Sequence, residues 1–228
     1  MVKNVSKNIG GIQMKMFDWD EHYRSGGKSG DPMDYVKSRE WKHAIISKYC
    51  DIKNNSIIDV GCGDLQFWKG RKPAKYTGID ISQTIVDAHT EKYPDRLFIC
   101  ASSDERFDIA ADTVMCFDML WHIMDDDVYI KTLENIKFYS KKYILIYTWN
   151  SNPFNRGILH RIFNALIRFK KTWKLNFSIA VDDGGYQKYR PFKKIAKEVF
   201  NGDFELIDEY RNDKWKFGSL YVFRKVVE

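Results

Sequence analysis

The chain has 228 residues, room for one domain with a sizeable core and little room for two. A hydrophobic content of 44% with 15% aromatics excludes a disordered chain, and no apolar run approaches the ~20 residues that cross a bilayer. The opening Met1-Val2-Lys3-Asn4 lacks a secretory h-region, so a cytoplasmic protein is expected.

The formal charge of +6 is local. Residues 135–181 hold nine basic side chains and no acid, so setting that segment aside leaves −3. This excludes a uniformly basic nucleic-acid binder. Cys50, Cys62, Cys100 and Cys116 lie far apart, without zinc spacing or a disulfide framework.

Taken in order, residues 1–33 read as an irregular N-terminal segment or loose lid, aromatic at Trp19 to Tyr23 and glycine-rich from Gly26 to Gly30. Asp31-Pro32-Met33-Asp34 is a helix start, with Asp31 as cap and Pro32 at the first position. The helix is expected to reach about Tyr49 and to bury Val36, Ala44, Ile45 and Tyr49. From residue 34 to 228 a single domain is expected. Ile57, Ile58 and Val60 suit a short buried strand, and Gly61 and Gly63 suit a sharp strand-to-helix turn. A short helix is expected before Arg71-Lys72-Pro73. Tyr76 to Ile79 forms a second strand ending in Asp80, and Ser82 caps a helix over Gln83 to Lys92. Leu97 to Cys100 is the third strand and Thr113 to Cys116 the fourth. Asp125-Asp126-Asp127 favours a helix N-terminus. Tyr143 to Tyr147 is the fifth strand, 151–190 an insertion, and Phe192 to Phe200 a last helix. Phe204 to Ile207 and Leu220 to Phe223 are strands without a helix between them, hence a hairpin.

Two strand ends that each carry an acid, with glycines between them, make a nucleoside site. Charge selects the nucleoside. Asp59 and Asp64 flank the turn, and each would repel a nearby pyrophosphate by roughly a kcal/mol. The third glycine of a dinucleotide turn is replaced by Gln66. A ligand with an ammonium, a sulfonium and a ribose diol but no phosphate fits better, and S-adenosylmethionine (SAM) is that ligand. Asp59-Val60-Gly61-Cys62-Gly63 followed by Asp80 resembles the first two motifs of the class I SAM-dependent methyltransferases, although Leu65 stands where many members have a small residue.

The resemblance implies an α/β three-layer sandwich: a seven-stranded, mostly parallel sheet with one antiparallel strand and helices on both faces. It implies SAM as cofactor, S-adenosylhomocysteine (SAH) as product, and Asp80 as the ribose acid. Tyr23 and Arg24 are expected near the methionine end, unless they belong to a plain surface loop. Ser102, Ser103 and Asp104 follow the third strand, where Ser102 or Asp104 meets the adenine amino group. Cys62, Ile81 and Phe117 complete the cofactor set.

For catalysis, His122 is the side chain suited to take a proton from an acceptor at neutral pH, with Tyr147 and Asp118 as fallbacks. Packing alone is the competing reading for His122. No metal is expected, because no cluster has ligand spacing. Residues 154–174 have helical spacing, with Ile158, Leu159, Ile162 and Leu166 on one side and Arg161, Arg168 and Lys171 on the other. That segment reads as an edge helix, a cap over the acceptor, or a nucleic-acid or membrane-surface contact. Methyl transfer to an oxygen or nitrogen of a small-molecule, sugar or lipid-linked acceptor is the leading expectation. The alternatives are an RNA or protein methyltransferase and a non-catalytic SAM-binding module.

Overall fold

The computed structural model describes residues 8–9, 12–13, 17–29, 32–151, 187–212 and 218–227. The two-residue strands β1 (Asn8–Ile9) and β2 (Ile12–Gln13) pair with each other, apart from the main sheet. Helix α1 (Trp19–Arg24) is capped by Asp18, whose side chain accepts the Glu21 N–H. Helix α2 runs over Pro32–Ile46.

The main sheet comprises β3 (Ser56–Val60), β4 (Lys75–Asp80), β5 (Leu97–Cys100), β6 (Ala111–Phe117), β7 (Ser140–Trp149), β8 (Phe204–Arg211) and β9 (Gly218–Lys225). Its spatial order is β5-β4-β3-β6-β7-β9-β8. The pairs from β5 to β7 are parallel, while β9 runs antiparallel to both β7 and β8. One reversed strand near the edge is the topology expected above.

Strand alternation distributes the side chains between two apolar layers. On one face Val114, Cys116, Ile144 and Ile146 pack with Leu133 and Ile136 of α4 (Asp126–Tyr139) and Phe192 of α5 (Phe192–Val199). On the other, Met115, Leu145 and Val222 pack with Ile45 and Ile46 of α2 and Val86 of α3 (Gln83–Lys92). The result is the expected three-layer sandwich. The predicted cap Ser82 is formed, accepting the Ile85 N–H, while Asp31 lies outside the described residues; Asp125, expected only to favour a helix N-terminus, caps α4 by accepting the Asp127 and Val128 N–H groups.

Three expectations need correction. Val36 and Ala44 are exposed, because α2 turns a different stripe to the sheet. The β3–β4 crossover holds only a 3-10 turn, Gln66–Trp68. Leu65 in the left-handed region (φ 57°) precedes it and Gly70 (φ 79°) follows, so the backbone cannot continue as a helix. Several strands also outrun their apolar centres; β7 extends through Ser140–Trp149 because parallel and antiparallel neighbours pair along its length. The basic segment at 154–174 lies outside the described residues.

Candidate active site

The site opens where β3, β4 and β6 end side by side. The Ile79 carbonyl accepts the N–H groups of both Gly61 (2.8 Å) and Cys62 (3.1 Å), tying the turn after β3 to β4. Gly61 and Gly63 have φ of 78° and 52°. A Cβ on Gly61 would stand 2.6 Å from Met119, and one on Gly63 would stand 2.5 Å from Ser29 Oγ and 3.0 Å from the Tyr23 hydroxyl. Glycine is therefore required twice over, by backbone conformation and by close approach.

Asp80, the last residue of β4, is buried beneath this turn. Its Oδ2 accepts the Gly63 N–H at 2.9 Å and its Oδ1 the Ser82 N–H at 3.0 Å. Burial raises its pKa, and these two backbone donors oppose the rise. A carboxylate has about four acceptor positions, so these two bonds do not exhaust it. Ile81, immediately after it, leaves an exposed apolar side chain beside the cleft (45% exposed).

Asp59 sits differently from the acid expected to flank a ligand. Its Oδ2 accepts the Trp68 indole N–H and the Tyr76 hydroxyl, both at 2.9 Å, within the apolar layer of α2 and α3. Burial pushes its pKa up to about 6. Cys62 likewise turns its thiol inward, next to Gly78, and presents only backbone to the turn. Of the two acids that flank the turn in sequence, Asp59 is turned into the core and Asp64 meets Ser29, while Asp80 holds the Gly63 N–H.

Residues 17–29 cover the turn. Asp20 accepts from Ser82 Oγ and from the Thr84 N–H, each at 2.8 Å. The Ser29 N–H donates to Asp64 at 3.2 Å, and the Asp64 N–H returns a bond to Ser29 Oγ at 3.3 Å. The Tyr23 hydroxyl meets Ser29 Oγ at 2.7 Å, directly over Gly63. Arg24 points elsewhere: its guanidinium is exposed and pairs with Glu21 and Asp20 of its own helix.

After β5, Ser102 Oγ donates to Asp104, whereas Ser103 turns to Thr132 of α4 at 2.7 Å. The Ala101 N–H bonds to the Asp80 carbonyl at 3.0 Å, which keeps this loop beside the acid. At the end of β6 the Phe117 ring meets Phe67 edge-on, with centroids 5.2 Å apart. Asp118 follows at φ 57°, a left-handed conformation uncommon for a non-glycine residue, and its carboxylate pairs with Lys42. Lys42 is 3% exposed and its ammonium also lies over the Tyr147 ring.

A model of the family described as "Methyltransferase domain" matches residues 58–136, the stretch from the glycine turn through α4. Residues 58–136 are thus similar to a methyltransferase domain. No curated protein matches the sequence. Among solved structures, magnesium protoporphyrin IX methyltransferase from Synechocystis PCC 6803 with bound SAH superposes with a TM-score of 0.59 at 12% identity, over 91% of this chain and 94% of that one. A SAM-dependent methyltransferase from Clostridium acetobutylicum ATCC 824 gives 0.55 at 12% identity, over 90% and 95%. The N-methyltransferase NodS from Bradyrhizobium japonicum WM9, in complex with SAH, gives 0.56 at 10% identity, over 87% and 90%. At such identities the likeness concerns the fold.

At this site the three expected proton acceptors are not equivalent. His122 ends the short turn Leu120–His122, with the Trp19 ring 4.9 Å away, edge to face. The Trp121 indole, which can only donate, gives its N–H to His122 Nε2 at 2.9 Å. That lone pair is occupied, so base action at Nε2 requires Trp121 to move. Burial and the Asp118 carboxylate push the Tyr147 phenol well above its usual range. Such a shift favours the neutral phenol. Asp118 keeps an accessible carboxylate (side chain 43% exposed) at the end of β6.

Four residues of the site escaped sequence reasoning. Lys42 reads as one more surface lysine of an amphipathic helix. Asp20 and Ser29 act only through the fold-back of the N-terminal segment. His89, in α3, bonds the Gly63 carbonyl through Nε2 at 2.9 Å and so fixes the turn from behind. Only the glycine-rich context of Ser29 hinted at a close approach. Among the described residues no group of three or more His, Cys, Asp or Glu is arranged to hold a metal, and no helix is long and apolar enough to cross a membrane.

Proposed function

We propose that this domain transfers the methyl group of SAM to an oxygen or nitrogen atom of a small-molecule acceptor, including sugar- or lipid-linked ones. The observation that carries this reading is the cover of residues 17–29 over the glycine turn, held by Asp20 and Ser29. A covered cleft favours an acceptor small enough to enter beside it. SAM supplies an electrophilic methyl carbon on a positively charged sulfur.

The chain's own residues supply position and charge. Asp80 offers its remaining lone pairs to the ribose hydroxyls, Gly61 and Gly63 admit the ligand to the backbone, and Ile81 offers an apolar surface to the base. Holding acceptor and methyl donor in line supplies much of the rate enhancement in such displacements. Asp118, at the mouth of the cleft, is the carboxylate best placed to orient or deprotonate an acceptor N–H or O–H, and His122 is the second candidate.

The test is calorimetry of SAH with the full chain, followed by a methyl-transfer screen over small amines and hydroxyl compounds with radiolabelled SAM. Saturable SAH binding together with transfer to a small acceptor supports the reading. Transfer confined to RNA or protein, with binding that weakens steeply with salt through Arg161, Arg168 and Lys171, would replace it with the macromolecular alternative.

A further inference from the structure

One serine stands between the acid of the covering helix and the acid at the end of β4. Ser82 gives its hydroxyl proton to Asp20 Oδ1 at 2.8 Å and its backbone N–H to Asp80 Oδ1 at 3.0 Å. Its Oγ also accepts the Ile85 N–H as the cap of α3. Asp80 in turn holds the Gly63 N–H through its other oxygen. Asp20 therefore reaches the glycine turn through a continuous chain, Asp20–Ser82–Asp80–Gly63, with every link inside hydrogen-bond distance. It also accepts the Thr84 N–H at 2.8 Å, which places its charge at the positive end of α3.

We infer that Asp20 is a positioning residue that couples closure of α1 over the cleft to ligand occupancy of Asp80, so that one hydrogen-bond chain sets both cover and cofactor retention. This rests on the reading that Asp80 holds the cofactor ribose.

The physical reason lies in how Ser82 is used. Both of its donors are committed, one to each acid, so its hydroxyl is directed by Asp20 and its N–H by Asp80. A ligand diol that fixes Asp80 fixes Ser82, and Ser82 presents the docking point for Asp20. Coupling of this kind is reciprocal: whatever order the ligand adds to α1, α1 returns as affinity. The segment has further contacts, Ser29 with Asp64 and Trp19 with His122. Asp20 itself touches no reacting group.

The experiment measures SAH dissociation by stopped flow, and amide hydrogen exchange with and without SAH, on the full chain. The variants are Asp20→Ala, Asp20→Asn, Ser82→Ala and the Asp20→Ala/Ser82→Ala pair. SAH is expected to protect residues 17–29 in the wild type. Asp20→Ala should remove that added protection and speed SAH release about tenfold, the equivalent of one charge-assisted hydrogen bond, while exchange in β3 to β6 stays unchanged. Asp20→Asn keeps an acceptor oxygen and should restore most of the retention. The double variant should release SAH no faster than the worse single one, because both act on the same link. SAH release at the wild-type rate in Asp20→Ala overturns the inference, as does a wild type in which SAH leaves residues 17–29 unprotected. A wild type that binds no SAH overturns the cofactor reading itself, a separate and recognisable failure.

Discussion

The Lys42 ammonium lies 3.9 Å from the centre of the Tyr147 ring and is paired with the carboxylate of Asp118. The partners differ in exposure: the lysine side chain is 3% exposed and the aspartate 43%. Removing one member of a buried pair leaves the other uncompensated, so the burdens of the two deletions are unequal. Asp118→Ala strands a buried ammonium and should destabilise the domain by on the order of 3 kcal/mol. Lys42→Met leaves a carboxylate that water can reach and fills the same space over Tyr147, so its effect should be much smaller. The double variant should recover most of the loss. Urea denaturation of the three proteins decides this, and a Lys42→Met protein as unstable as Asp118→Ala would count against it.

Asp59 gives a pH dependence whose sign follows from its surroundings. Burial raises its pKa from 3.8 to about 6 in the folded chain, despite hydrogen bonds from Trp68 and Tyr76. Between those two values the folded state binds more protons than the unfolded one, so this residue's contribution to stability is present at low pH and is lost as pH rises through about 6. Asp59→Asn keeps an acceptor for both donors and removes the titration. Relative to wild type it should gain stability between about pH 4.5 and 7.5, by on the order of 2 kcal/mol at about 1.36 kcal/mol per unit. Thermal melts at the two pH values measure the difference; parallel curves for both proteins would refute it.

Gly63 and Gly70 separate backbone strain from lost cover. Both have positive φ, 52° and 79°, so alanine costs roughly 1 kcal/mol at either position. A Cβ at Gly70 meets nothing within 4 Å, whereas one at Gly63 meets Ser29 and Tyr23. Gly63→Ala should therefore weaken SAH binding strongly by pushing residues 17–29 away from the turn, while Gly70→Ala binds SAH normally. Calorimetry on the pair tests this, and equal affinities would show that the cover is dispensable.

Asp80→Ala removes the acceptor of the Gly63 and Ser82 N–H groups together with the ligand-facing lone pairs. SAH affinity should fall at least a hundredfold, the scale of two lost hydrogen bonds to a charged group. Retained micromolar binding would remove Asp80 from the cofactor site.

The legible parts of this fold were those determined within a few residues. Ser82 could be read as a cap, and Asp125 to Asp127 as a helix start, because both are relations between a side chain and N–H groups two or three positions on. The glycine turn and Asp80 were readable because strand ends and glycines announce themselves locally. Relations across the fold were not. Nothing near Asp59 in sequence says that Trp68 and Tyr76 will claim it. Leu65 gave no sign of the left-handed turn that replaces a helix after β3. Lys42 lies 76 positions from Asp118, and its burial depends on how α2 is rotated against the sheet. The expected placement of Arg24 drew on resemblance, and in this chain two acids of its own helix hold it.

The position of β9 has a consequence for how the chain is made. It lies between β7 and β8, pairing with β7 from Tyr143–Arg224 to Trp149–Gly218 and serving, among the described residues, as the sole strand neighbour of β8. The sheet can therefore grow in order of synthesis only as far as β7, and β8, although made earlier, has no ladder to join until β9 exists. A ribosome that has released everything up to Arg211 holds a domain whose β7 edge is still bare. That edge carries Tyr143, Ile144, Ile146 and Tyr147, and a bare strand edge is a template for pairing with another chain.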